Sequence, residues 1–292
     1  MNQIEIRFKS SALMMNAQIL VLLPETLGGE KLKVLWLLHG GTEDYHSWLE
    51  KVDLDRVLNA HPGVMAVLPN GLNSDFADHF EFAGGFDFPR FFFAELMPFV
   101  YHAFPASPLP EDNFLTGYSM GGAGALMLGL LRPDCFGGIA PMGASERRAD
   151  FLQPYLQMTG PEFRRFARAQ RTALPTEYGD PALGITDKEI NMIARYETVQ
   201  DYVDSMECTA ERYRDRVREK AALPELYFVC GEADGCRAAA AEFVARAAAD
   251  KTTGISLHLI PGCGHEQAAQ PAVEAVLDHF LSGRPRRAEG RS

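Results

Sequence analysis

Residues 113–131 constrain this chain more than any other stretch: a short apolar run leads into Gly117-Tyr118-Ser119-Met120-Gly121, and a small-residue apolar segment follows. Phe114 to Thr116 read as a strand, and the spacing after Met120 is helical, so the residues between them turn a strand sharply into a helix. In a G-x-S-x-G turn of this kind the serine occupies a strained apex. The flanking glycines let neighbouring backbone approach where a Cβ would clash. The Ser119 hydroxyl is then displayed at the carboxyl end of a strand, with a helix N-terminus behind it that favours developing negative charge. A five-residue pattern with three fixed positions also arises by chance in long chains, so its context must carry the argument.

That context is an alternation of strands and helices. Two β-like runs, 4–8 and 14–23, read as an antiparallel hairpin. Lys33–Leu38 is almost continuously apolar, the pattern of a strand buried on both faces, and runs straight into His39-Gly40-Gly41. A helix over 47–59, a buried strand over 64–68 and a helix over 89–104 with proline at its start precede the elbow; the strand Gly138–Met142 follows it. From 145 to 222 the strand pattern stops, and helices are expected over 161–172, 187–206 and 209–221, the middle one begun by a capping box of Thr186 and Glu189. Alternation resumes with a strand over 225–230, the helix Arg237–Ala249, the strand Ile255–Ile260 and a helix over 267–281. The expected fold class is therefore α/β, with a mostly parallel central sheet covered by helices on both faces. The expected domains are a core of 1–144 with 223–283, a helical cap insertion of 145–222, and a disordered basic tail of 284–292.

A chain of 292 residues, 47% of them hydrophobic, buries a large core and is neither fibrous nor disordered. Its net charge of -11 argues against nucleic acid or an anionic membrane as partner, since both select clustered Lys and Arg. The apolar stretch 12–23 is broken by Asn16 and Gln18, ends in Pro24-Glu25 and lacks a small-residue cleavage site. It is expected to be a strand, which makes the chain cytoplasmic and its five cysteines thiols. Their spacings match no zinc pattern, and no metal or cofactor is expected. Cys236 and Cys263 do fall close in sequence to the candidate acid and base.

In a parallel sheet, functional residues collect in loops at the carboxyl ends of strands. After 225–230 comes Gly231-Glu232-Ala233-Asp234-Gly235, and after Ile255–Ile260 comes Pro261-Gly262-Cys263-Gly264-His265-Glu266. A serine is a poor nucleophile unless an imidazole takes its proton, and the imidazole needs a carboxylate to fix its tautomer. Ser119, Asp234 and His265 supply these three groups, in the chain order of the α/β-hydrolase triad. Glu232 is the alternative acid, with Asp234 then only capping the helix near Arg237; His265 is alternatively a simple helix-start residue. The Gly40-Gly41 turn leaves backbone N–H groups free, so the oxyanion donors are assigned to Gly41 N–H and Met120 N–H, the alternative being a turn without chemistry. His39 reads as structural.

Leu37-Leu38-His39-Gly40-Gly41, Ser47-Trp48-Leu49, Leu68-Pro69-Asn70-Gly71, Ala94-Glu95-Leu96, the elbow with Gly122, and Gly264-His265-Glu266 together resemble the esterase D and tributyrin esterase group. These are α/β-hydrolases related to S-formylglutathione hydrolases, feruloyl and acetylxylan esterases and mycolyltransferases. The resemblance covers roughly 10–143 and 224–282. It implies carboxylic ester hydrolysis by a Ser/Asp/His triad, matched by Ser119, Asp234 and His265, with oxyanion donors matched by Gly41 and Met120. The insertion is long and strongly helical for the group.

The expected function is a serine carboxylesterase acting on small soluble acyl esters. A formylglutathione-type thioesterase and an acyltransferase are alternatives on the same triad, whereas a non-catalytic binding protein ordinarily lacks part of it. Phe76, Phe80, Phe82, Phe86 and Phe88 are candidates for an acyl or aryl pocket, with the core as the alternative. Apolar residues at the insertion's root, Phe151, Leu152, Tyr155, Leu156 and Met158, are expected to bury against the cleft rim or a partner subunit. A homo-oligomer is compatible with the sequence but not decided by it.

Overall fold

The structure, a computed structural model, describes residues 1–81, 84–169, 187–250, 252 and 254–281. Strands β1 (Asn2–Ser10) and β2 (Met15–Leu23) form the expected antiparallel hairpin. β1 is largely exposed and carries Glu5, Arg7 and Lys9, charges that discourage further pairing at an edge. β3 (Lys33–Leu38) is the buried run that ends at His39.

The single helix expected over 47–59 is two, α1 (Ser47–Lys51) and α2 (Leu54–Asn59). Asp53 causes the break, because its side chain accepts the Arg56 N–H and so caps a new helix instead of continuing the old one. β4 (Val64–Pro69) is buried throughout. The helix expected over 89–104 is α3 (Phe88–Arg90), a π-helical turn (Phe91–Leu96) and α4 (Met97–Ala103). Met97 N–H reaches back to Phe92 C=O. Pro98, next in line, has no N–H to donate and its ring crowds the preceding turn, which relaxes by widening. β5 (Asn113–Tyr118), α5 (Met120–Leu131) and β6 (Gly138–Met142) follow.

Residues Glu146–Lys220 form a compact unit of their own. It holds a 3-10 turn (Asp150–Tyr155) and helices α6 (Gly160–Ala169), α7 (Asp187–Ala194), α8 (Val199–Val203) and α9 (Thr209–Arg218). The helix expected over 187–206 stops at Ala194, and Thr198 starts α8 with a capping box in which Asp201 is the partner. The box expected at Thr186 lies outside the described residues, as do 170–172 at the end of the first expected helix, Phe82 and the tail 284–292. Leu152, Phe163, Ile190, Ile193, Val199 and Tyr202 are buried together as this unit's core. Phe151, Tyr155, Leu156 and Met158 pack against that core. Leu152 is thus buried inside the unit itself rather than against a cleft rim or a second subunit, and the other four are partly buried there.

The chain re-enters the sheet with β7 (Glu225–Gly231), then α10 (Arg237–Ala249), β8 (Ile255–Ile260), a 3-10 turn (Glu266–Ala268) and α11 (Ala269–Leu281). Eight strands form one sheet in the order β1-β2-β4-β3-β5-β6-β7-β8, antiparallel at β1–β2 and β2–β4 and parallel elsewhere. Alternate residues of the buried strands feed two cores. Leu35, Leu37, Met142 and Tyr227 face Trp48 of α1, Val57 of α2 and Phe280 of α11, while Trp36 meets Phe92 at 5.2 Å between ring centroids and Phe228 meets Phe243 of α10 at 5.0 Å. From β3 the chain winds outward to β4, then crosses back to β5 on the other side. The direction of winding reverses between β3 and β5, and a crevice opens at the carboxyl ends of strands at such a reversal.

Candidate active site

The loops after β3 and β5 meet at that crevice. Ser119 stands between β5 and α5 with φ 54° and ψ −114°, a conformation costly for any residue with a Cβ, on the order of 1–3 kcal/mol. Close packing enforces it. A Cβ on Gly121 would lie 2.3 Å from Leu38 O, so the elbow is pressed against the end of β3 more tightly than any other residue permits. Ser119 N–H donates to Met142 O at 2.8 Å, which ties the elbow to the end of β6. Ser119 is half-buried, at the N-terminus of a twelve-residue helix.

On the β3 side, His39 is structural, as its sequence position suggests. Gly71 N–H donates to its Nε2 (3.0 Å), which leaves Nδ1 to donate to Gly40 O (2.8 Å). The buried imidazole therefore staples the loop after β3 to the loop after β4, and burial lowers its pKa. Gly41 sits beside Met120: a Cβ built on Gly41 would be 3.7 Å from Met120 Cβ. Thr42 N–H donates to Asn73 Oδ1 (3.3 Å), a second tie from the β4 loop.

The loops after β7 and β8 are laced together by their backbones, Glu232 N–H to Ile260 O (2.9 Å) and Ala233 N–H to Cys263 O (2.9 Å). This brings the Asp234 carboxylate to His265, with Nδ1 to Oδ2 at 2.9 Å. Asp234 is buried and also accepts the Cys236 N–H at 2.8 Å. Glu232, the alternative acid, is exposed and accepts the Gly262 N–H instead (3.0 Å).

Two residues that sequence reasoning did not single out complete the surroundings. Gly143, directly after β6, has φ 55°, and a Cβ there would lie 3.1 Å from His265 Cε1 and 3.3 Å from Asp234 Oδ2. The signal was a glycine at the carboxyl end of a central strand. The Tyr118 ring lies 5.1 Å from the His265 ring between centroids. Its hydroxyl is buried with no hydrogen-bond partner among the described residues. Ser119 is thereby linked to the Asp234–His265 pair on two sides, through Tyr118 and through Met142–Gly143. Of the candidate pocket phenylalanines, Phe76, Phe86 and Phe88 are buried and Phe80 is exposed. Phe76 packs against Gly71 and Gly124 and stacks edge-on with Phe88, a core role that overturns pocket lining for that pair.

Gly143→Ala adds left-handed backbone strain of about 1–2 kcal/mol and pushes on the imidazole. The expected result is a lower melting temperature together with a fall in kcat of about tenfold, read from thermal unfolding and steady-state rates on one preparation.

The hydrogen bond to Asp234 raises the His265 pKa, and burial opposes it only in part. Burial alone would raise the Asp234 pKa; the bonds from His265 and Cys236 outweigh it and hold the carboxyl below its ordinary range. If neutral His265 is the base, kcat/KM is lost as pH falls through the imidazole pKa. The expected midpoint lies above the ordinary value of 6.5, and Asp234→Asn moves it down. A pH–rate profile of both proteins checks the sign.

Among the described residues, one group of three side chains offers metal-ligand atoms within 4.8 Å of one another: Asp234, Cys236 and His265. Among them too, no helix is long and apolar enough to cross a membrane.

Residues 10–177 match the Esterase family. An acetyl esterase from Caldicellulosiruptor saccharolyticus is 29% identical over 243 residues, 79% of this chain and 80% of that protein. Among solved structures, fluorophosphonate-binding serine hydrolase F of Staphylococcus aureus is similar with a TM-score of 0.72 at 20% identity, over 96% of this chain and 98% of that one. An S-formylglutathione hydrolase from Agrobacterium tumefaciens is similar with a TM-score of 0.66 at 17% identity, over 96% and 94%.

Proposed function

We propose that this chain, which belongs to the Esterase family and has the α/β-hydrolase fold, is a serine carboxylic ester hydrolase that cleaves small, soluble short-acyl esters through an acyl-enzyme on Ser119. His265 takes the Ser119 proton as Oγ attacks the ester carbonyl carbon. Gly41 N–H and Met120 N–H hold the resulting oxyanion. His265 then returns the proton to the departing alkoxide, and water, activated by the same imidazole, releases the acid. Asp234 fixes the imidazole with Nδ1–H toward the carboxylate and offsets its transient positive charge. The observation that carries this reading is the 2.9 Å pair of Asp234 and His265 beside a serine held at φ 54°.

The short acyl group is supported by the acetyl esterase relative. The inserted unit leaves the core after Ser145, just beyond the carboxyl end of β6, and on this proposal it acts as a cap that sets chain-length preference. A panel of p-nitrophenyl esters of rising acyl length, with a formyl thioester included, tests both parts. Acetate and propionate esters should give the highest kcat/KM, and a folded variant with a shortened insertion should gain on long or branched acyl groups but hardly change on acetate. A clear preference for the thioester overturns the substrate class, and an unchanged length profile in the variant overturns the role given to the insertion.

A further inference from the structure

We propose that Asp234, Cys236 and His265 form an inhibitory binding site for zinc or a similar borderline-soft divalent cation. Cys236 is two residues beyond the candidate acid and reaches it twice, through its backbone N–H at 2.8 Å and through its thiol. Catalysis as proposed needs neither a thiol nor a sulfur ligand at this point, yet ligand atoms of all three residues lie within 4.8 Å of one another. One sulfur, one imidazole nitrogen and one carboxylate oxygen are the donor types that Zn²⁺ takes in tetrahedral sites, with water in the fourth position. The half-buried imidazole leaves the trio open to solvent.

Coordination at Nδ1 takes the place of the hydrogen bond between Asp234 and His265. The thiol proton goes to solvent and sulfur binds as thiolate. If the metal binds Nδ1, the imidazole stays neutral with its proton on Nε2, which then cannot accept the Ser119 proton. If it binds Nε2, the basic lone pair is occupied directly. Either geometry stops the reaction while leaving the serine intact.

The inference rests on His265 being the base, and the test separates the two. Co²⁺ titration of the full chain should give a thiolate-to-cobalt charge-transfer absorption in the near ultraviolet that Cys236→Ser abolishes. Zn²⁺ should inhibit ester hydrolysis reversibly, with activity restored by EDTA. In Cys236→Ser, with inhibition normalised to that variant's own zinc-free rate, the half-inhibiting zinc concentration should rise by at least about tenfold. The absence of the cobalt band in the wild type, or equal zinc sensitivity in the two proteins, overturns the site. A thiolate band at full activity in saturating zinc overturns the inhibition and points the failure at His265 as base.

Discussion

Replacing Ser119 by alanine lowers kcat on an acetate ester by on the order of 10⁶-fold, the loss expected when the nucleophile of a triad is removed. What survives is expected to come from the proposed oxyanion donors and from substrate binding. The fold should not suffer, because alanine carries the same Cβ into the same φ of 54° and Ser119 caps its helix with no side-chain hydrogen bond. A melting temperature close to wild type beside near-complete loss of turnover is therefore the expected pair of observations. A large drop in both would mean that the serine serves the elbow's stability and that the kinetic loss is secondary.

Asp234→Asn comes next in size, with an expected fall in kcat of about 10⁴-fold. An asparagine amide facing Nδ1 is able to donate where the carboxylate accepted, and that turns the imidazole to the tautomer with its proton on the wrong nitrogen. Glu232→Gln is the matched control. Among the described residues its carboxylate accepts the Gly262 N–H at 3.0 Å, a bond that a glutamine carbonyl reproduces, so turnover should change by less than about threefold. The reverse order would make Glu232 the acid and leave the Asp234–His265 contact structural.

The elbow and the loops that carry the candidate acid and base are legible in the sequence because each is tied to a strand end, and strands buried on both faces appear as unbroken apolar runs. Lys33–Leu38 is found at the expected residues for that reason; Ile255–Ile260, a partly exposed edge strand, is also found where its alternating pattern places it. Helices were less legible where a polar residue competes for the backbone: Asp53 and Thr198 each cap a new helix inside a stretch whose apolar spacing alone reads as one. The π-helical turn before Pro98 has no periodicity of its own.

Strand order was not legible, since nothing local says that β4 lies outside β3. Pro141 within β6 even argues locally against a central strand. The sheet accommodates it by pairing β6 with β7 at Gly138, Ile139 and Met142, leaving out Ala140 and Pro141. Gly143 and Tyr118 escaped notice because their contacts with His265 are made entirely through tertiary structure. The same is true of much of the insertion's apolar root, whose partners include Phe163 of the next helix but also Ile190, Ile193, Val199 and Tyr202 from helices more than 30 residues further along the chain.

Ser119 as the attacking nucleophile is the claim on which the rest depends, and a fluorophosphonate probe addresses it without assuming a substrate. The probe phosphonylates only a serine whose hydroxyl is activated and accessible, and the adduct is mapped to a residue by peptide mass spectrometry. The expected result is stoichiometric modification of Ser119, absent from Ser119→Ala and slowed in Asp234→Asn. Modification of a different residue, or equal labelling of wild type and Ser119→Ala, would contradict it.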